Sequence, residues 1–158
     1  MKAEHVNPVI QGAQIILSEI CGEKGNMGKL TIKKDFSGIN EVVVVIGMTG
    51  DLKGYAIFSM CHAAAHLLAS RFMAGMSEAE VEEFLSSAVA EIMNMISGRI
   101  STLYYEMGIK NDITTPNYVE PPPPGFFDFV PPGSQLISIP LTFACGAEFD
   151  IIMCFIVS

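Results

Sequence analysis

The sequence predicts an α+β protein, with long helices packed on a β-sheet. Two stretches, 7–22 and 77–108, repeat apolar residues at helical spacing. Two others, 42–60 and 136–157, are β-branched and aromatic runs that turn at glycines. Half of the 158 residues are hydrophobic and only 16% are charged. That balance argues against disorder and supplies a real core for one domain spanning 1–158.

The first helix is expected to begin at Asn7-Pro8, with Asn as cap and Pro at the first helical position. Val9, Ile10, Ala13, Ile16, Leu17 and Ile20 continue it, and Gly22 ends it. Residues 28–36 alternate, Leu30 and Ile32 against Thr31 and Lys33, as a half-exposed strand does. Residues 41–48 carry Val42-Val43-Val44-Val45-Ile46, the pattern of a central strand. Thr49-Gly50-Asp51 is turn chemistry, and 53–60 is the returning strand. A helix follows over 61–74, stopped by Gly75.

Residues 77–108 read as one long helix. Ser77-Glu78-Ala79-Glu80 has capping-box spacing, and Gly108 suits a left-handed stop. Leu85, Val89, Ile92, Ile96, Ile100, Leu103 and Met107 share a stripe that would face the core. Ser87, Glu91, Asn94 and Gly98 fall on nearly the opposite side. From geometry alone, such a row is most simply a solvated helix face.

Beyond Gly108, residues 112–119 read as a strand whose Pro116 marks an edge or a bulge. Residues 120–133 break the composition, with Pro121 to Pro124 followed by Phe126, Phe127 and Phe129. Consecutive prolines favour an extended conformation. The phenylalanines are expected to pack an ordered loop, with a proline-motif ligand for a partner as the alternative. Residues 136–145 and 148–157 form a second hairpin about Gly146. Its last strand is apolar on both faces and belongs in the sheet interior. Helix and three strands thus occur twice, giving two α-β-β-β halves with little residue identity between them.

Net charge of −8 argues against nucleic acid, whose phosphates need clustered Lys and Arg. No signal peptide is visible and no apolar run would span a bilayer. Cys21, Cys61, Cys145 and Cys154 show no paired spacing and read as reduced core residues. A cytoplasmic protein off the membrane is expected. His62 and His66 stand four apart, a spacing that can present two imidazoles to one metal. With no obvious third ligand nearby in sequence, helix surface or packing is the expected role, and no metal site is assigned.

The motif Ser87-x3-Glu91-x2-Asn94 resembles that of the CheC/CheX/FliY chemotaxis phosphatases, which place a proline about two dozen residues on; Pro116 is the candidate here. The segments 91–98, 111–116 and 47–54, and the element order over nearly the whole chain, are similar to the CheX branch. Ala90 stands where a Gly is common, and the Pro/Phe-rich segment 120–133 is longer or more aromatic than the family leads one to expect.

The resemblance implies a CheC-like fold and a phosphatase acting on the aspartyl phosphate of a CheY-like response regulator. It assigns Asn94 to position the attacking water and Glu91 to contact a Lys beside the phosphoaspartate. Ser87, Gly98 and Pro116 are expected to meet the partner. The chain is expected to need no cofactor of its own, with Mg2+ carried by the phosphorylated receiver. One motif copy favours the single-site CheX pattern, and with it a homodimer. The alternative is a non-catalytic binding module, as in the related flagellar switch proteins; retention of both Glu91 and Asn94 favours the enzyme.

Overall fold

A computed structural model describes residues 3–156. The elements in order are α1 (Ala3–Cys21), β1 (Asn26–Met27), β2 (Thr31–Lys33), β3 (Val42–Gly50), β4 (Gly54–Met60), α2 (His62–Phe72), α3 (Glu78–Glu83), α4 (Leu85–Glu106), β5 (Asn111–Ile113), β6 (Asn117–Val119), a 3-10 turn (Phe126–Phe129), β7 (Gln135–Thr142) and β8 (Glu148–Phe155). The strands form one antiparallel sheet in the order β1-β7-β8-β4-β3-β5, with β2 also on β7 and β6 also on β3.

The predicted halves are visible in this topology. The long hairpins β3–β4 and β7–β8 meet at the centre, where β4 pairs with β8 from Gly54 against Phe155 to Met60 against Phe149. The short strands cross over. Those of the first half flank β7 of the second, and those of the second half flank β3 of the first.

Alternation along the strands explains why they are apolar throughout. Val42, Val44, Ile46, Phe58, Ile139, Ile151 and Met153 pack under the helices. Val43, Val45, Ile57, Leu136, Ile152 and Cys154 turn to the other face. There Phe36, Ile39, Phe126, Phe127 and Val130 cover them. Phe36 and Phe127 stack with ring centroids 4.1 Å apart. The Pro/Phe-rich segment is therefore a lid on the second face of the sheet, the packing role expected for it. Both sheet faces being covered is what permits near-continuous hydrophobic strands.

Several boundaries differ from the sequence expectation. α1 begins at Ala3, so Asn7 and Pro8 lie inside it. Val6, upstream of the proline, is buried with Val9 and extends the apolar stripe. The Tyr104 hydroxyl on α4 holds the His5 carbonyl from outside the helix. Tertiary contact thus carries the first turn past a residue that lacks an N–H to give.

The strand expected at 28–36 is reduced to β1 and β2. Leu30 and Ile32 are exposed, Ile32 by 73%, because these pieces lie at the sheet edge beyond the reach of the helices. The strand expected at 112–119 is split by Thr114, Thr115 and Pro116, which oppose only Ile46 and Gly47 of β3. That is a bulge on the edge. Thr114 bridges it, its Oγ1 accepting from the Gly47 N–H at 2.8 Å. The final strand ends at Phe155; Val157 lies outside the described residues.

The single helix expected over 77–108 is two. The capping box at Ser77 is present, and Gly108 adopts φ of 82°. Between α3 and α4, however, Phe84 sits at φ −103°, ψ 13°. This bend lets α3 fold against α2 with Val81 buried. At the far end Met107 is 44% exposed, and Tyr104 takes the core position expected there.

Candidate active site

α4 lies against both α1 and α2 as well as the sheet. Its buried residues include Ala88, Val89, Ile92, Met93, Ile96, Ile100 and Tyr104. α1 runs antiparallel to it. Tyr104 meets His5, Gly12 lies against Ile100, and the Arg99 guanidinium stands 3.9 Å from the Glu19 carboxylate. A helix fixed on three sides is a rigid mount for whatever its fourth side carries.

That fourth side holds Ser87, Glu91, Asn94 and Gly98. At about 100° per residue these four point roughly 140–180° away from Ile96. Ser87 and Glu91 are exposed, while Asn94 and Gly98 are partly buried by their neighbours. Among the described residues, no hydrogen bond or ion pair engages the side chains of Ser87, Glu91 or Asn94. A Cβ built on Gly98 would meet nothing within 4 Å. The row is an acid and an amide one turn apart, followed by a flat patch of backbone.

Pro116 sits, partly buried, at the bulge between β5 and β6, two strands that both touch α4. No contact joins it directly to Glu91 or Asn94 among the described side-chain interactions. The sheet edge beneath α4 thus carries Pro116, while the helix ridge carries the other four residues.

A second polar cluster, which sequence reading left without ligands beyond two histidines, forms where α3 folds onto α2. His66 Nε2 bonds to Glu78 and lies 3.5 Å from Glu82. His62 Nε2 stands 3.8 Å from Glu82, and its Nδ1 lies 2.6 Å from Glu120. The hydrogen bond to Glu120, with the charges of Glu120 and Glu82, raises the His62 pKa against a smaller effect of burial. The cue in the sequence was the matching spacing of His62/His66 and Glu78/Glu82. It became readable only once α3 was known to fold back.

The α4 ridge presents a hydroxyl, a carboxylate, an amide and a bare glycine backbone along one helix face. Such a row is placed to meet the surface of another molecule. The described residues include no helix long and apolar enough to cross a membrane.

The family model for the chemotaxis phosphatase CheX matches residues 42–123, more than half of the chain and all of the ridge. The chain belongs to that family. It is 29% identical over 119 residues to the CheY-P phosphatase CheX of Thermotoga maritima, covering 75% of this chain and 77% of that protein. Among solved structures it resembles a chemotaxis protein CheX from Desulfovibrio desulfuricans, with TM-score 0.80, 22% identity and 97% and 99% of the two chains covered. It also resembles the CheX–CheY–BeF3–Mg2+ complex from Borrelia burgdorferi, with TM-score 0.77, 21% identity and coverage of 98% and 99%. These likenesses agree with the mixed helix and antiparallel sheet architecture described above.

Proposed function

We propose that this chain hydrolyses the aspartyl phosphate of a CheY-like receiver domain. The observation that carries the reading is the pair Glu91 and Asn94, outward on a rigid helix and without side-chain partners among the described residues. Hydrolysis adds water to phosphorus and breaks the bond to the aspartyl oxygen. It releases inorganic phosphate and restores the receiver's carboxylate.

Little covalent chemistry is asked of the protein. Phosphoryl transfer passes through a loose transition state, so positioning and charge stabilisation dominate. An acyl phosphate is already reactive and needs no strong base. The Asn94 amide both donates and accepts, and holds the attacking water in line with the scissile bond. Glu91 pairs with a lysine beside the phosphoaspartate and fixes the register of docking. Mg2+ belongs to the receiver, consistent with the ion in the Borrelia complex.

Ser87 and Gly98 extend the contact along the ridge, and Pro116 borders it from the sheet edge. Gly98 supports this reading in particular. A mid-helix glycine costs roughly 0.5–1 kcal/mol relative to alanine, and a Cβ here would meet none of the described residues within 4 Å. Close approach of a partner backbone supplies the reason.

The chain is read as one such unit, working in the cytoplasm as a homodimer. The exposed Met27, Leu30 and Ile32 on the sheet edge give a second copy an apolar strand to meet. The deciding measurement is phosphate release from phosphorylated receiver domains. Asn94→Ala is expected to slow it by about 10²-fold or more with the fold intact. A variant as fast as the parent would remove the assignment.

A further inference from the structure

We propose that the facing surfaces of α2 and α3 bind one Zn2+ ion through His62, His66, Glu78 and Glu82. The histidines are four apart on α2 and the glutamates four apart on α3, so each pair shares one helix face. One ligand atom each from His66, Glu78 and Glu82 fall within 4.8 Å of one another. Glu82 is the hub, with one oxygen 3.5 Å from His66 Nε2 and the other 3.8 Å from His62 Nε2.

Ligands of a tetrahedral Zn2+ ion, each about 2.0–2.1 Å from the metal, stand roughly 3.3 Å apart. His66, Glu78 and Glu82 already approach that spacing, while His62 stands 3.8 Å from Glu82 and closes on the other two as the ion binds. Glu78 is bonded to His66 but 75% exposed, so it is free to swing and share the metal. Two imidazoles with two carboxylates are a donor set that suits zinc better than magnesium or calcium.

An independent observation lies behind the rings. The far nitrogen of each histidine is already engaged. His62 Nδ1 faces Glu120 at 2.6 Å, and Glu120 in turn accepts from the Tyr118 hydroxyl at 2.8 Å. His66 Nδ1 lies 3.4 Å from the Ser70 hydroxyl. Both rings are thereby oriented with Nε2 toward Glu82. A carboxylate holding the outer nitrogen of a histidine is the usual support of a metal ligand. An exposed ion pair gains little from such support.

The ion takes no part in phosphate chemistry. It pins α3 to α2 immediately before the bend at Phe84, and so fixes the direction in which α4 departs toward Ser87 and Glu91.

The test is titration of chelator-stripped, reduced protein with Zn2+ near neutral pH, followed by calorimetry and thermal unfolding. One ion per chain is expected, with Tm raised by roughly 5–10 °C at a hundredfold excess over Kd and no response to Mg2+. Glu120→Gln should keep the stoichiometry and weaken binding by about 10- to 100-fold. His66→Gln with Glu82→Gln should abolish both uptake and the Tm rise. Absence of uptake by the parent protein overturns the site. So does unchanged uptake by the double variant, which would move the ion elsewhere, for example to the exposed thiol of Cys145.

Discussion

The hydroxyl of Tyr104, in the last turn of α4, donates to the backbone carbonyl of His5 in the first turn of α1. Burial raises the Tyr104 pKa well above its ordinary value, so the hydroxyl remains a donor throughout the physiological range. Tyr104→Phe should cost about 1–2 kcal/mol, read from the urea midpoint. Phosphate release should be unchanged, since the tie lies on the core side of the helix.

Two helical glycines should respond in opposite ways. A Cβ on Gly12 would come within 2.7 Å of Ile100 Cγ1 and 3.2 Å of its amide nitrogen. Gly12→Ala should therefore destabilise by about 1–3 kcal/mol through overpacking, despite alanine's better helix propensity. Gly98→Ala has open space and should stabilise by roughly 0.5–1 kcal/mol. Gly98→Leu should fold equally well yet weaken binding to the receiver. Equal receiver affinity for the parent and Gly98→Leu would remove Gly98 from the docking surface.

The role proposed for Asn94 can be tested apart from its size. Asn94→Asp keeps the shape but replaces a neutral amide with an anion, which the proposed docking would set against phosphate. We expect a loss of about 10²-fold, comparable to that of Asn94→Ala. Glu91→Ala should lower both receiver affinity and rate. Binding curves and single-turnover decay of the phosphorylated receiver distinguish these outcomes.

The lid over the second sheet face should matter for stability and not for catalysis. Phe127 stacks on Phe36 at 4.1 Å and edges against Phe126 at 5.0 Å. Phe127→Ala should cost about 2–3 kcal/mol, below the range for a fully buried ring because this one is half-buried. Denaturant unfolding checks the cost, and an unchanged phosphatase rate checks the separation of the two faces.

Ile32 tests assembly. It projects from the edge strand β2 with 73% of its surface exposed. Ile32→Glu should shift the protein toward monomer in analytical ultracentrifugation, because a charge on an apolar edge opposes strand pairing. A dimer of undiminished stability would place the contact elsewhere.

Periodicity alone was enough to expose the central architecture. Val42 to Ile46 and the final strand are apolar at every position because both faces of the sheet are covered, and a run of that kind has few other homes. The ridge was equally legible. Glu91 and Asn94 point well away from Ile96, and helical geometry fixes those directions without reference to anything outside α4.

What local pattern left open were the positions governed by distant partners. Pro8 reads as a helix start until Val6 and the Tyr104–His5 bond carry the helix past it. Residues 77–108 read as one helix because nothing near Phe84 announces a bend. The bend exists to bury Val81 against α2, and it is the same fold-back that brings Glu78 and Glu82 to His62 and His66. The sequence by itself determined which side chains face outward along α4, since a helix sets those angles within its own few turns. The tertiary structure alone decided which residues from separate elements meet, because such meetings depend on chain paths that no short window contains.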